Sequence, residues 1–229
     1  MTRVKESNEI VAPGDVLAED ENLSVNSGAY EEDNKIKSKH LGTVMYSGNS
    51  VMVRPMQGRY IPEKGDTVIG EISRVSYSRW TVNLNSPYDG NLNIADATEE
   101  YVDLDEDDLT DFFDVGDAVV VKVKGVTESM DVDLTMKDDR CKKLEDGRIV
   151  KIPPSKVPRV IGKEGTMVKQ INAATNCNII VGQNGLIWIH GSKASLAAKA
   201  VKKVEKQAHE NGLTDKIGKW LDEQTEGDQ

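Results

Sequence analysis

Gly162-Lys163-Glu164-Gly165 is the constellation with the clearest chemistry in this sequence. Two glycines around two side chains let a backbone turn tightly and approach an anion with no Cβ in the way. A helix opening at the second glycine would add unpaired N–H groups and a positive dipole end. Lys163 supplies a mobile cation, and Glu164 opposes it mildly. Arg159 and Lys169 flank the loop as further contacts, and Ile161 with Ile179 would form an apolar floor for bases. A second group lies in Val75-Ser76-Tyr77-Ser78-Arg79-Trp80. Arg79 can meet a phosphate, and Tyr77 or Trp80 can stack a base for ~1–3 kcal/mol. Trp80 has a second reading, because an aromatic entering a strand more often plugs a core. Lys122 and Lys124 read equally as phosphate contacts or as solvent-facing charges. This is capture chemistry, with no bond made or broken.

The residues for an enzyme are missing. There is no Walker loop and no Ser–His pairing, and paired acids occur only in runs. Cys141, Cys177, His40, His190 and His209 lack zinc spacing, and Asp103 to Asp111 lacks the turn glycine of an EF-hand. No cofactor or metal is expected. Two lone thiols suit a reducing cytosol, so a cytoplasmic location is expected. The start, Met1 to Asn8, has no apolar run of the secretory kind, and no segment approaches the ~20 residues that span a bilayer.

The net charge of −10 over 229 residues argues against a nucleic-acid partner until its distribution is read. Arg140 to Lys206 holds 14 Lys/Arg against 4 Asp/Glu, leaving −20 on the rest. Screening confines each field to ~8 Å at physiological salt, so a basic module can hold a polyanion beside acidic ones. Lys199, Lys202, Lys203 and Lys206 read as a solvated helix face.

Periodicity shows what must position these residues. Residues 1–62 read as a small β module with few basic residues, closed by Ile61-Pro62. It contains a strand–turn–strand at Val11 to Leu17, a hairpin around Gly48-Asn49, and a long polar loop from Asn22 to Lys39. Residues 63–139 alternate with period two in five stretches, which predicts a five-stranded closed barrel of the OB type. The run Asp96 to Asp117, with 11 acids and no base, falls between its third and fourth strands as a solvated helix or loop. Residues 140–212 change period and predict β-α-α-β-β-α. Here Thr166 to Ala174 is one helix, Gln183-Asn184-Gly185 is a hairpin turn, and Ser192 caps a last helix to Ala208. Residues 213–229 read as an acidic, flexible tail. The expected fold class is multidomain and mainly β with one α/β module.

With that order around Gly162 to Gly165, and Val160-Ile161 before it, residues 140–212 resemble a type I KH domain, whose GXXG loop clamps about four nucleotides. Residues 63–139 resemble an S1 domain. The order N-terminal β domain, S1, KH, with Val11-Ala12-Pro13-Gly14-Asp15, Gly42-Thr43-Val44 and Gly65-Asp66-Thr67-Val68-Ile69-Gly70, resembles the archaeal exosome RNA-binding cap subunits. The resemblance implies three copies seated on a hexameric phosphorolytic ring. Residues 1–62 would dock, and single-stranded RNA would be bound without chemistry. A translation- or ribosome-associated S1/KH factor is the competing reading.

Overall fold

A computed structural model describes residues 2–19, 23–56, 58–98, 108–210 and 212–226. The chain divides into two units, Met1–Gly58 and Arg59–Gln229. The first unit is built from short strands that alternate apolar and polar residues. These are β1 (Thr2–Arg3), β2 (Ile10–Val11), β3 (Val16–Glu19), β4 (Ser24–Val25), β5 (Ala29–Glu32), β6 (Lys35–Ser38), β7 (Gly42–Ser47) and β8 (Ser50–Pro55). They form two sheets, ordered β1-β3-β6-β5 and β2-β7-β8-β4. Leu17, Ala18 and Ile36 of the first meet Val11, Val44, Val51 and Val53 of the second in one buried cluster.

The polar stretch expected as a loop from Asn22 to Lys39 contains β4, β5 and β6 instead. Asp33 and Asn34 turn the β5–β6 hairpin with φ of 53° and 57°, the left-handed pair of a type I′ turn. Only Ala29 and Ile36 of that hairpin are buried apolar residues, which is why its alternation is faint in the sequence. The expected boundary at 62 also moves. Tyr60 packs into the core of the second unit, and its hydroxyl donates to the Asp66 carboxylate at 2.6 Å.

In the second unit, β9 (Thr67–Ser76), β10 (Arg79–Asn83), β11 (Gly90–Asn93), β12 (Ala118–Val126) and β13 (Val132–Thr135) close on themselves. Their order is β13-β11-β10-β9-β12, and β12 pairs again with β13. The β11–β13 pair is parallel and the other ladders are antiparallel, as in an OB barrel. Two one-turn helices, α1 (Ile94–Ala97) and α2 (Leu109–Phe112), occupy the described part of the acidic connection. Residues 99–107 of that run lie outside the described residues. Lys142–Leu144, placed by sequence in the KH module, is β14 and pairs with β12 of the barrel.

The KH module follows as β15 (Arg148–Lys151), α3 (Val157–Ile161), α4 (Thr166–Thr175), β16 (Cys177–Val181), β17 (Leu186–Gly191) and α5 (Ala194–Lys206). Its antiparallel sheet runs β15-β17-β16, and the helices cover one face. Ser192 does not cap α5, because Lys193 holds that position and offers no side-chain bond. The other sheet face sets Trp188 against Ile69, Val120 and Leu144 of the barrel. Gln183-Asn184-Gly185 does more than turn the chain. The buried Asn184 amide donates to the carbonyls of Ile69 at 2.6 Å and Leu84 at 2.8 Å, while Gln183 exchanges two bonds with Thr67. A satisfied buried amide fixes orientation, so barrel and KH module form one body.

The expected flexible tail is corrected as well. Leu213–Glu226 is helix α6, with Leu213, Ile217 and Leu221 buried in the KH core. Trp220 packs against the same core, with the Lys203 ammonium 4.6 Å from its ring centroid. Their spacing of four, three and one residues is an amphipathic stripe, which the surrounding acids obscured.

Candidate nucleic-acid interface

Helix α3 stops because Gly162 takes a φ of 75°, where a side chain would be strained. A Cβ there would also lie 2.8 Å from the Met167 nitrogen, so glycine allows α4 to begin this close. Glu164 and Gly165 follow with φ of 54° and 77°, and α4 starts at Thr166. Gly165 stands at the N-cap, and no side chain caps the helix. The Thr166 N–H donates back to the Lys163 carbonyl, and no side chain occupies the positive end of this ten-residue helix, which therefore faces the loop. Lys163 and Glu164 are exposed. Lys169 reaches back, its ammonium 3.3 Å from the Glu164 carbonyl, which brings a second cation to the loop.

Two neighbours have other tasks. Arg159 donates through Nε to the Ala208 carbonyl at 2.6 Å and through a terminal nitrogen to that of Glu210 at 2.9 Å. It ties the α5–α6 connection to α3 rather than pointing an open fork at phosphate. Ile179, expected as a floor for bases, is buried in the KH core among the helices, while Ile161 is half-buried at its edge.

On the barrel, β9 and β10 join through Tyr77-Ser78, and Tyr77 stands 70 % exposed at the tip. Arg79 is exposed beside it. Thr81 pairs with Arg74 and Asn91, and Arg79 with Ser76 and Asn93; the register shift between Thr81 and Val82 sets Arg74 outward although Ile72, two residues before it, points into the core. The outward face thus carries two guanidinium groups on neighbouring rungs. Sequence reading missed Arg74, whose position depends on that shift. Trp80 is settled as core. It is 0 % exposed, donates its indole N–H to the Phe113 carbonyl at 2.9 Å, and meets Phe112 and Phe113 edge-on.

Lys122 and Lys124 are ion-paired, with Asp138 at 2.9 Å and Asp96 at 2.8 Å. Arg140 and then Lys122 hold the Asp138 carboxyl well below the usual carboxylate range. A phosphate at either lysine must compete with these acids.

The first unit offers a different surface. Ile10 is 58 % exposed, Leu41 54 % and Met56 39 %. Ile10 lies opposite Thr43, Thr43 opposite Arg54, and the Met56 amide donates to the Leu41 carbonyl at 3.0 Å. With the half-buried Met45 and Met52 they place apolar side chains on either side of the Thr43–Arg54 rung, on the outer face of the β2-β7-β8 sheet and at its edge. Among the described residues no helix is long and apolar enough to cross a membrane.

Family comparisons agree with this geometry. The model of the RRP4 S1 domain matches residues 59–125, and that of the KH domain matches residues 147–195. Exosome complex component Rrp4 of Pyrococcus abyssi is 44% identical over 217 residues, 93% of this chain and 82% of the relative. The same component of Methanothermus fervidus is 38% identical over 223 residues, 96% and 98% of the two chains. A crystal structure assigned as an exosome complex RNA-binding protein superposes with a TM-score of 0.69 at 32% identity, covering 75% of this chain and all of that one. The chain belongs to the Rrp4 family of exosome complex components.

Proposed function

We propose that this chain is a non-catalytic RNA-binding subunit of an exosome, one of three cap copies on a hexameric phosphorolytic ring. The uncapped start of α4 behind Gly162 to Gly165 carries the RNA half of the reading. Its positive dipole end, with Lys163 and Lys169, forms a phosphate cradle on a body that also holds Arg74, Arg79 and Tyr77 of the barrel. Single-stranded RNA fits this better than a duplex, because the KH loop clamps the backbone while bases splay and stack.

The docking half rests on the exposed apolar residues Ile10, Leu41 and Met56 around the Thr43–Arg54 rung, since exposed apolar groups clustered on a small domain mark protein contacts. The chain would hold RNA at the channel entrance, and the ring would cut it. The full chain, incubated with 3′-labelled oligoadenylate, magnesium and phosphate, should retain the RNA and leave its length unchanged. Shortening that follows the protein through purification would overturn the non-catalytic assignment.

A further inference from the structure

We propose a second contact for the same RNA: a nucleobase stacks on the exposed ring of His190, beside the joint between barrel and KH module. This rests on the RNA-binding reading above. Along β17, Leu186, Trp188 and His190 alternate onto the sheet face away from the helices. Leu186 and Trp188 are covered by the barrel, whereas His190 is exposed.

Trp188 is fixed from several sides. Its indole N–H donates to the Asp146 carbonyl at 2.9 Å, and the Lys142 ammonium lies 5.8 Å from its ring centroid. Gly147 keeps the ring's edge clear, because a Cβ there would lie 2.5 Å from the indole nitrogen. The His190 imidazole lies parallel to this anchored indole in an offset stack, with centroids 5.5 Å apart and planes within 7°. The strand ends one residue later at Gly191, so no further residue of β17 continues the stack.

An aromatic ring held flat and open is a preorganised platform, and a stacked base loses little by joining it. Exposed Asn178 stands opposite His190 on β16 and offers an amide to a base edge. The charges nearby favour a base over a phosphate. Lys142, over the Trp188 ring, is accompanied by Glu145 and Asp146, all exposed, whereas Arg148 pairs with Ile189 and lies on the helix-bearing face, so the patch carries no net positive charge. This differs from the Gly162 to Gly165 loop, which lies at the opposite end of α4, about 15 Å along its axis. A tetranucleotide filling the loop leaves no base for His190, but a longer strand can reach both.

The test is fluorescence anisotropy on the full chain with a labelled tetranucleotide and a longer oligouridylate. His190→Ala should weaken the longer strand roughly five- to tenfold, the lower part of the range for one stacked base. It should leave the tetranucleotide, the salt slope and the melting temperature unchanged. His190→Phe, which keeps a ring, should bind the longer strand at least as well as wild type. Unaltered binding of the longer strand by His190→Ala would overturn the platform, as would an equal loss on both RNAs or a shallower salt slope. Changing Lys163 and Glu164 to Asp tests the loop separately. A loop failure with a His190 effect, or the reverse, tells the two readings apart.

Discussion

Lys163 and Glu164 are exposed between two glycines with positive φ, so changing them reports on binding rather than on the core. Changing both to Asp takes the pair from neutral to −2 at an uncapped helix start. Affinity for single-stranded RNA should fall, and the slope of log K against log salt should shrink by roughly 0.7 for one lost phosphate contact. The melting temperature should hold, because exposed substitutions usually stay within about 0.5 kcal/mol. Equal binding across a salt series would move the clamp to Arg74 and Arg79. Residue types in this loop were legible because glycine spacing is local information. The roles of Arg159, Ile179 and Arg74 were not, since each depends on a partner distant in sequence: the Ala208 carbonyl, the helical layer, and a register shift. The choice for Trp80 was open for the same reason, as its indole partner at Phe113 is 33 residues away.

At the scale of elements, α6 is the sharpest departure from the sequence reading. Residues 213–229 were expected as a flexible tail on composition, yet Leu213, Ile217 and Leu221 are buried. Ile217→Ala should cost about 2–5 kcal/mol, as buried large-to-small changes do. That corresponds to a fall of roughly 5–15 °C in the unfolding midpoint of the second unit, read by circular dichroism. A midpoint equal to wild type would mean that the helix does not support the KH fold. Barrel strands were legible because Val119, Val121, Val123, Val132 and Leu134 alternate strongly. The β5–β6 hairpin was not, because only Ala29 and Ile36 mark its buried face. Asn184 shows a third limit. A turn signal says that the chain reverses, and nothing in it says that the turn's amide plugs a neighbouring barrel edge.

For the whole molecule, acidic composition and RNA binding are reconciled by distribution. The proposed cradle lies on the basic KH module, while acids on the barrel pair Lys122 and Lys124 and leave the outward Arg74 and Arg79. The first unit contributes the exposed apolar residues Ile10, Leu41 and Met56 around Arg54. In the proposed function one unit binds a protein ring while the other holds RNA. The most direct measurement is a pull-down of tagged full-length chain from native lysate, read by quantitative mass spectrometry. Wild type should recover phosphorolytic ring subunits in fixed proportion, and a variant with Ile10→Asp and Leu41→Asp should lose them while still binding labelled RNA. Recovery of ribosomal proteins without ring subunits, or a variant that keeps the ring in full stoichiometry, would contradict the account.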